Sequence, residues 1–210
     1  MAQYFSIHPT HPQGRLVRRS ADILRAGGLI AYPTDSCYAL GCHIDDARAL
    51  ERLRRLRGID EKHHLTLMCR DLSEIAAYAV VDDVRYRLLK RAVPGSYTFI
   101  LRARRAVPRR LMHERRKTIG VRVPNHPVAH RLLDELNEPI LSATLSLPGD
   151  AAPLSGGEEI RARLERQLDL VIDAGPCSTR PSTVIDLTGE QPLVVRVGKG
   201  SLEPFAVEPV

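Results

Sequence analysis

The sequence predicts an α/β or α+β fold, a β-sheet with helices packed on it. Two patterns predict this: strand-like runs alternate with apolar residues at helical spacing, and further strand-like runs gather toward the C-terminus. Composition agrees, because 210 residues with 43% hydrophobic and 27% charged content suit a soluble globule that needs no staples to hold its core.

The elements follow in order. Leu16, Val17, Ser20, Ala21 and Leu24 recur at helical spacing, and Gly27-Gly28 suits the left-handed close of such a helix. Leu29 to Tyr32 reads as a short buried strand ended by Pro33. Asp45 or Asp46 caps a second helix through Ala49, Leu50 and Leu53. Leu65 to Met68 is strand-like, and Asp71-Leu72-Ser73-Glu74 has the form of a capping box. Another helix runs from Asp82-Asp83 to Ala92 and stops before Pro94-Gly95. Tyr97 to Arg102 and Thr118 to Val123 are strands. Asn125 is expected to cap a helix with Val128, Ala129, Leu132, Leu133 and Leu136 on one face. Ile140 to Thr144 is a strand and Glu158 to Gln167 a charged helix. Leu170 to Asp173, Thr183 to Leu187 and Leu193 to Val197 complete the strands. Only 149–157 reads as a long loop, so residues 1–210 are expected to form a single domain.

Charge is distributed unevenly. The net charge is +6, yet the window 102–117 alone holds eight basic residues against Glu114. They are Arg102, Arg104, Arg105, Arg109, Arg110, Arg115, Arg116 and Lys117. A single-sign patch attracts phosphates and steers polyanions. A solubilising surface loop is the other reading of the same run. Aromatic residues make up 4% with no Trp, which argues against a stacking platform for single-stranded RNA. The four cysteines form no C-x-x-C pair and read as reduced thiols. No apolar run has the length of a membrane span, and residues 1–12 lack a secretory pattern. A cytoplasmic location without membrane association is therefore expected. No histidine set has metal-ligand spacing, and neither a zinc-protease motif nor a P-loop occurs.

Several segments carry polar groups at strand ends, where open α/β sheets bind ligands. Residues 32–41 follow a strand directly; they suit a cleft or, equally, a tight turn in which Asp35 bonds its own backbone. Arg57, Lys62, His63 and His64 occupy a loop and form a candidate phosphate-facing cluster. Thr118, Gly120 and Arg122 share one strand face, with Ile119, Val121 and Val123 on the other. That pairing suits a cavity wall or the exposed face of an edge strand. Ser142, Thr144 and Ser146 alternate; Ser182-Thr183 opens a strand, and Arg196 closes one before Gly198.

Taken together these residues resemble the YrdC/YciO family, and the YciO branch most. The resemblance runs in order from about Leu16 to Gly200. It rests on Tyr-Pro-Thr-Asp at 32–35 with Tyr38 and Leu40-Gly41, Pro94-Gly95 with Tyr97 to Leu101, and Arg122-Val123-Pro124. Pro139 with the following Ser/Thr strand, Pro181 to Asp186, and Arg196 with Gly198 complete it. Thr66 to Ser73 and Arg115 to Gly120 suggest the branch.

The resemblance implies a twisted mixed sheet with helices outside and a concave, positively charged cavity. It implies binding of tRNA or double-stranded RNA. It also implies synthesis of threonylcarbamoyl-AMP from L-threonine, bicarbonate and ATP with Mg²⁺, for N6-threonylcarbamoyladenosine in tRNA, and no structural metal. By position, Thr34, Arg122 and Ser182 would hold the threonine. Arg57, Thr118, Thr144, Ser146 and Arg196 would meet the nucleotide, and the eight residues of 102–117 the RNA. The chain departs from the synthase pattern in two places. A Lys-x-Arg pair becomes Arg57-Gly58-Ile59, and Ser-x-Asn becomes Thr144-Leu145-Ser146. Reduced synthase activity is expected, and an RNA-binding protein without that activity is the alternative.

Overall fold

The computed structural model describes residues 1–60, 63, 65–113 and 115–205. Its strands are β1 (Gln3–Ser6), β2 (Ile30–Tyr32), β3 (Ala39–His43), β4 (Thr66–Met68), β5 (Tyr97–Arg102), β6 (Thr118–Arg122), β7 (Ile140–Thr144), β8 (Leu170–Asp173), β9 (Thr183–Asp186) and β10 (Leu193–Arg196). The α-helices are α1 (Gly14–Arg25), α2 (Ala47–Arg57), α3 (Leu72–Tyr78), α4 (Asp83–Ala92), α5 (Pro127–Leu136) and α6 (Gly157–Leu164). The strands form one mixed sheet in the order β1-β8-β2-β3-β7-β4-β6-β5-β9-β10.

Helices cover the two faces unequally. On one face, Val17, Ala21 and Leu24 of α1 and the apolar stripe of α5 pack against Ile30, Tyr32, Ile140, Leu170 and Ile172. On the other, α2, α3, α4 and α6 cover Ala31, Leu40, Leu67, Phe99, Val121, Leu141 and Ile185. Residues alternate between faces along a strand. The partners of Phe99, Val121 and Leu141 on the α1/α5 face are therefore Thr98, Ile100, Gly120, Arg122 and Ser142. Over β4, β5, β6 and β9 that face is not filled by an apolar helix stripe, and a polar concavity opens there.

Asp46, Asp71 and Asp82 cap their helices by accepting from backbone N–H groups three residues on, at 2.8 Å each. The capping box at 71–74 is offset: the Glu74 carboxylate accepts from the Arg70 N–H at 2.6 Å, one residue earlier than the motif predicts. Asn125 does not cap α5. That place belongs to His126, with Pro127 supplying the first helical residue. The Asn125 N–H is taken by the Asp35 carboxylate at 3.0 Å. Helix α6 ends at Leu164, not Gln167, because the chain turns there to bury Leu168 and enter β8.

Two strands lie outside the sequence expectations. β1 is a half-buried edge paired only with β8. β3 joins β2 and β7, with Gly41 at its centre. A Cβ at Gly41 would lie 2.8 Å from both Ile140 and Tyr32, so the middle of this strand cannot carry a side chain that would advertise it. The three C-terminal strands also separate, β8 joining β1 and β2 while β9 and β10 form the opposite edge.

Candidate functional site: a cationic cavity on the sheet

The concavity holds about 620 Å³. Its floor is Ala39, Thr66, Met68, Thr98, Ile100, Gly120, Arg122 and Ser142, with walls from Ser36–Tyr38, Arg57, His63, 151–153 and Ser182, Val184 and Arg196. Its polar groups are hydroxyls, three guanidiniums and the His63 imidazole, and no Asp or Glu lines it among the described residues.

Arg122 is anchored from below. It is buried at the end of β6, its Nη2 donating to the Asp35 carboxylate at 2.6 Å and its Nη1 to Ser36 Oγ at 2.8 Å. Asp35 is held further by the Ser96 hydroxyl at 2.6 Å, and the Lys199 ammonium donates to its carbonyl at 2.5 Å. Burial would raise the Asp35 carboxyl, but Arg122, Ser96 and the Asn125 amide outweigh it and hold it below the usual carboxylate range. The Nε of Arg122 is buried without a hydrogen-bond partner.

The other end is cationic. Arg57 is half-buried at the C-terminus of α2, donates from Nη1 to the Ser146 carbonyl, and also keeps a buried Nε without a partner. Arg196 donates from Nε and Nη2 to the Ser182 carbonyl at 3.2 and 2.9 Å. Burial, and the charge of Arg196, lower the basicity of Arg57. Ser182 Oγ and Thr98 Oγ1 pair at 2.8 Å, and Tyr32 OH pairs with Ser142 Oγ at 2.9 Å, so the hydroxyls are fixed in place.

Of the residues singled out by sequence, Arg57, Arg122, Thr144, Ser146, Ser182 and Arg196 converge on this cavity. Thr34 is buried behind it, donating to the Cys37 carbonyl at 2.7 Å and accepting from the Ser36 N–H at 3.1 Å; Ser36 is the hydroxyl that reaches the wall. Thr118 is buried at the start of β6 and is absent from the lining, one pleat beyond Gly120. Lys62 and His64 lie outside the described residues, while His63 lines the cavity. Ser36 lies in the 32–41 segment read as suiting a cleft; sequence reasoning did not find Thr66, Thr98 or Thr179, of which Thr66 and Thr98 were legible as polar members of otherwise apolar strands.

None of the eight basic residues of 102–117 lines the cavity. That segment is anchored by Val107 and Leu111 in the core on the α2 side of the sheet. Arg110 donates to the Ile44 carbonyl at 3.0 Å, and Arg104 to Ala79 at 3.0 Å. Arg102, Arg105, Arg109, Arg115, Arg116 and Lys117 stand exposed.

A family model covering the Sua5, YciO and YrdC proteins, described as telomere recombination, matches residues 22–198. The chain belongs to the Sua5/YciO/YrdC family. Within it, the chain is 54% identical to YciO of Escherichia coli K12 over 205 residues, 98% of this chain and 100% of that one. It superposes on the crystal structure of E. coli YciO with a TM-score of 0.95. It is 34% identical to the threonylcarbamoyl-AMP synthase of Chromobacterium violaceum over 180 residues, 85% of this chain and 92% of that one. The structure of Pyrococcus abyssi Sua5 complexed with L-threonine aligns with a TM-score of 0.87 at 27% identity, over 95% of this chain and 58% of that one. The YrdC-like mixed sheet expected from the resemblance is thus the observed fold. Among the described residues, no helix is long and apolar enough to cross a membrane.

Proposed function

We propose that the cavity binds L-threonine and ATP and supports threonylcarbamoyl-AMP synthesis for N6-threonylcarbamoyladenosine in tRNA, at a reduced rate. The observation that carries this reading is the Arg122 guanidinium, fixed by Asp35 and Ser36 on a cavity wall that no carboxylate lines among the described residues. An amino-acid carboxylate fits this guanidinium beside the Ser36 hydroxyl. Relatives named threonylcarbamoyl-AMP synthase, and Sua5 with L-threonine bound, support the assignment. Arg57, Ser146, Thr144 and Arg196 then face the nucleotide and its phosphates.

The chemistry suits this lining. A threonine carbamate is already an anion, so its oxygen attacks the α-phosphate without a protein base. A P–O bond forms, the Pα–O–Pβ bond breaks, and pyrophosphate leaves. What the protein supplies is alignment and neutralised charge. The lining offers no carboxylate among the described residues to hold Mg²⁺, so the donor set does not fit a protein-held ion there. Position 59, Arg in the synthase motif, is an isoleucine packed on the core, and position 146 is Ser in place of Asn. A lost charge-stabilising group costs on the order of 10²–10³ in rate, which is the basis for reduced activity.

The test is pyrophosphate release with threonine, bicarbonate and ATP, measured beside an authentic synthase. A threonine-dependent rate well below that enzyme is expected; no threonine-dependent release at all would sink the enzymatic reading. A second reading, RNA binding without synthesis, is favoured by one observation. The exposed arginines of 102–117 lie outside the cavity, where they can serve a polyanion independently of it.

A further inference from the structure

We propose that His63 is an anion-contacting residue of the cavity, acting with Arg57 and Arg196 on the phosphate end of a bound ligand. The proposal rests on the nucleotide reading above and adds a residue that the family motif does not supply.

The local backbone explains why this position reaches the cavity. Helix α2 ends at Arg57, and Gly58 turns the chain at a φ of 61°, where a Cβ would lie 2.7 Å from Pro148 Cγ. The turn directs Ile59 onto the apolar core, so position 59 presents nothing to the ligand. The His63 N–H donates to the Asp60 carbonyl at 3.3 Å, and Leu65 is buried just before Thr66 enters the floor. His63 is thereby set on the wall beside Arg57.

Among the described residues, the charged groups facing the ring are Arg57 from α2, Arg196 from β10, and Asp60. Although the residue is exposed overall, partial burial, then the Arg57 charge, push the imidazole below its ordinary value; Asp60 opposes this, and Arg196 adds to it. The free ring is therefore neutral at pH 7. A bound dianion cancels the arginine field and draws a proton onto the ring. Anion affinity should then rise as pH falls through the region below about 6.5, with proton uptake on binding.

The experiment is an NMR titration of the histidine rings in the full chain from pH 5 to 8.5, with and without sulfate, whose charge is constant over that range. Arg57 and Arg196 Nε–H signals report whether the cavity is occupied. With sulfate present, the His63 ring should titrate about one pH unit higher. His63→Gln should weaken sulfate binding roughly tenfold at the acid end and little at pH 8, because only the protonated ring adds a charge. Sulfate that moves both arginine signals but leaves the His63 titration unchanged overturns this inference and leaves the cavity reading intact. Sulfate that moves none of the three overturns both.

Discussion

Arg122 and Asp35 form a nearly buried ion pair at 2.6 Å, with side-chain exposures of 6% and 11%. Most of the paired arginines in this chain are far more open, as with Arg52 and Asp169 at 39% and 42% exposure. The pair joins the end of β6 to the turn after β2, so the cavity wall and the Tyr-Pro-Thr-Asp turn are one unit.

Removing one partner of such a pair strands the other. Arg122→Ala should destabilise the fold by ~3–5 kcal/mol as well as abolish ligand binding, because the Asp35 carboxylate is left uncompensated. The double variant Asp35→Asn with Arg122→Ala should lose less than the sum of the two single variants. Denaturant midpoints of all four proteins decide it; strict additivity would mean that the two residues do not interact.

The same pair sets an acid limit. The folded Asp35 carboxyl titrates below its unfolded value, so it contributes stability that is present above about pH 4 and lost as pH falls through the folded value. Stability of the wild type should drop across that acid window. Asp35→Asn should be less stable at neutral pH and show a shallower acid decline. Parallel pH profiles for the two proteins would contradict this.

Much of the framework was legible because the helices carry local signals. Asp46, Asp71 and Asp82 sit where a capping aspartate should, and the stripes of α1 and α5 have helical spacing. β3 was hidden because packing against Ile140 and Tyr32 demands a glycine, which reads as a turn. Alternation on β6 and β7 put Arg122 and Thr144 on the face that lines the cavity, but alternation gives a face and not a depth. Thr118 lies on the predicted face and outside the cavity for that reason. The orientation of Ile59 depends on the left-handed Gly58, and tertiary packing alone reveals it.

That orientation separates the two departures from the synthase motif. Ser146 lines the cavity, so Ser146→Asn places an amide where a ligand can use it and should raise pyrophosphate release several-fold. Ile59→Arg instead drives a charge toward the apolar core and should lower stability by about 1–3 kcal/mol without restoring activity. Steady-state rates and thermal midpoints of each single variant test the distinction. Rescue by Ile59→Arg alone would show that the loop after α2 rearranges when ligand binds.

The basic run and the cavity should be separable by mutation. Arg105, Arg109 and Arg115 are exposed and none lines the cavity. If they bind RNA, they do so through phosphates, so affinity should fall steeply with salt and depend little on sequence. The logarithmic salt slope should be roughly −0.9 per phosphate neutralised on a duplex. Replacing all three with Ala should flatten that slope by up to about three units and weaken every duplex alike. Nucleotide binding in the cavity should be unchanged in the same variant, because no lining group is lost. With 4% aromatic residues and no Trp, the surface offers little for base stacking, so a duplex or folded tRNA should bind better than an unstructured strand. Filter binding of tRNA over a range of salt, beside calorimetry with ATP, reads both sites in one preparation. A wild type that retains no tRNA at low ionic strength would reduce the run to a solvated surface, and a triple variant that loses ATP binding would show the two regions to be one site.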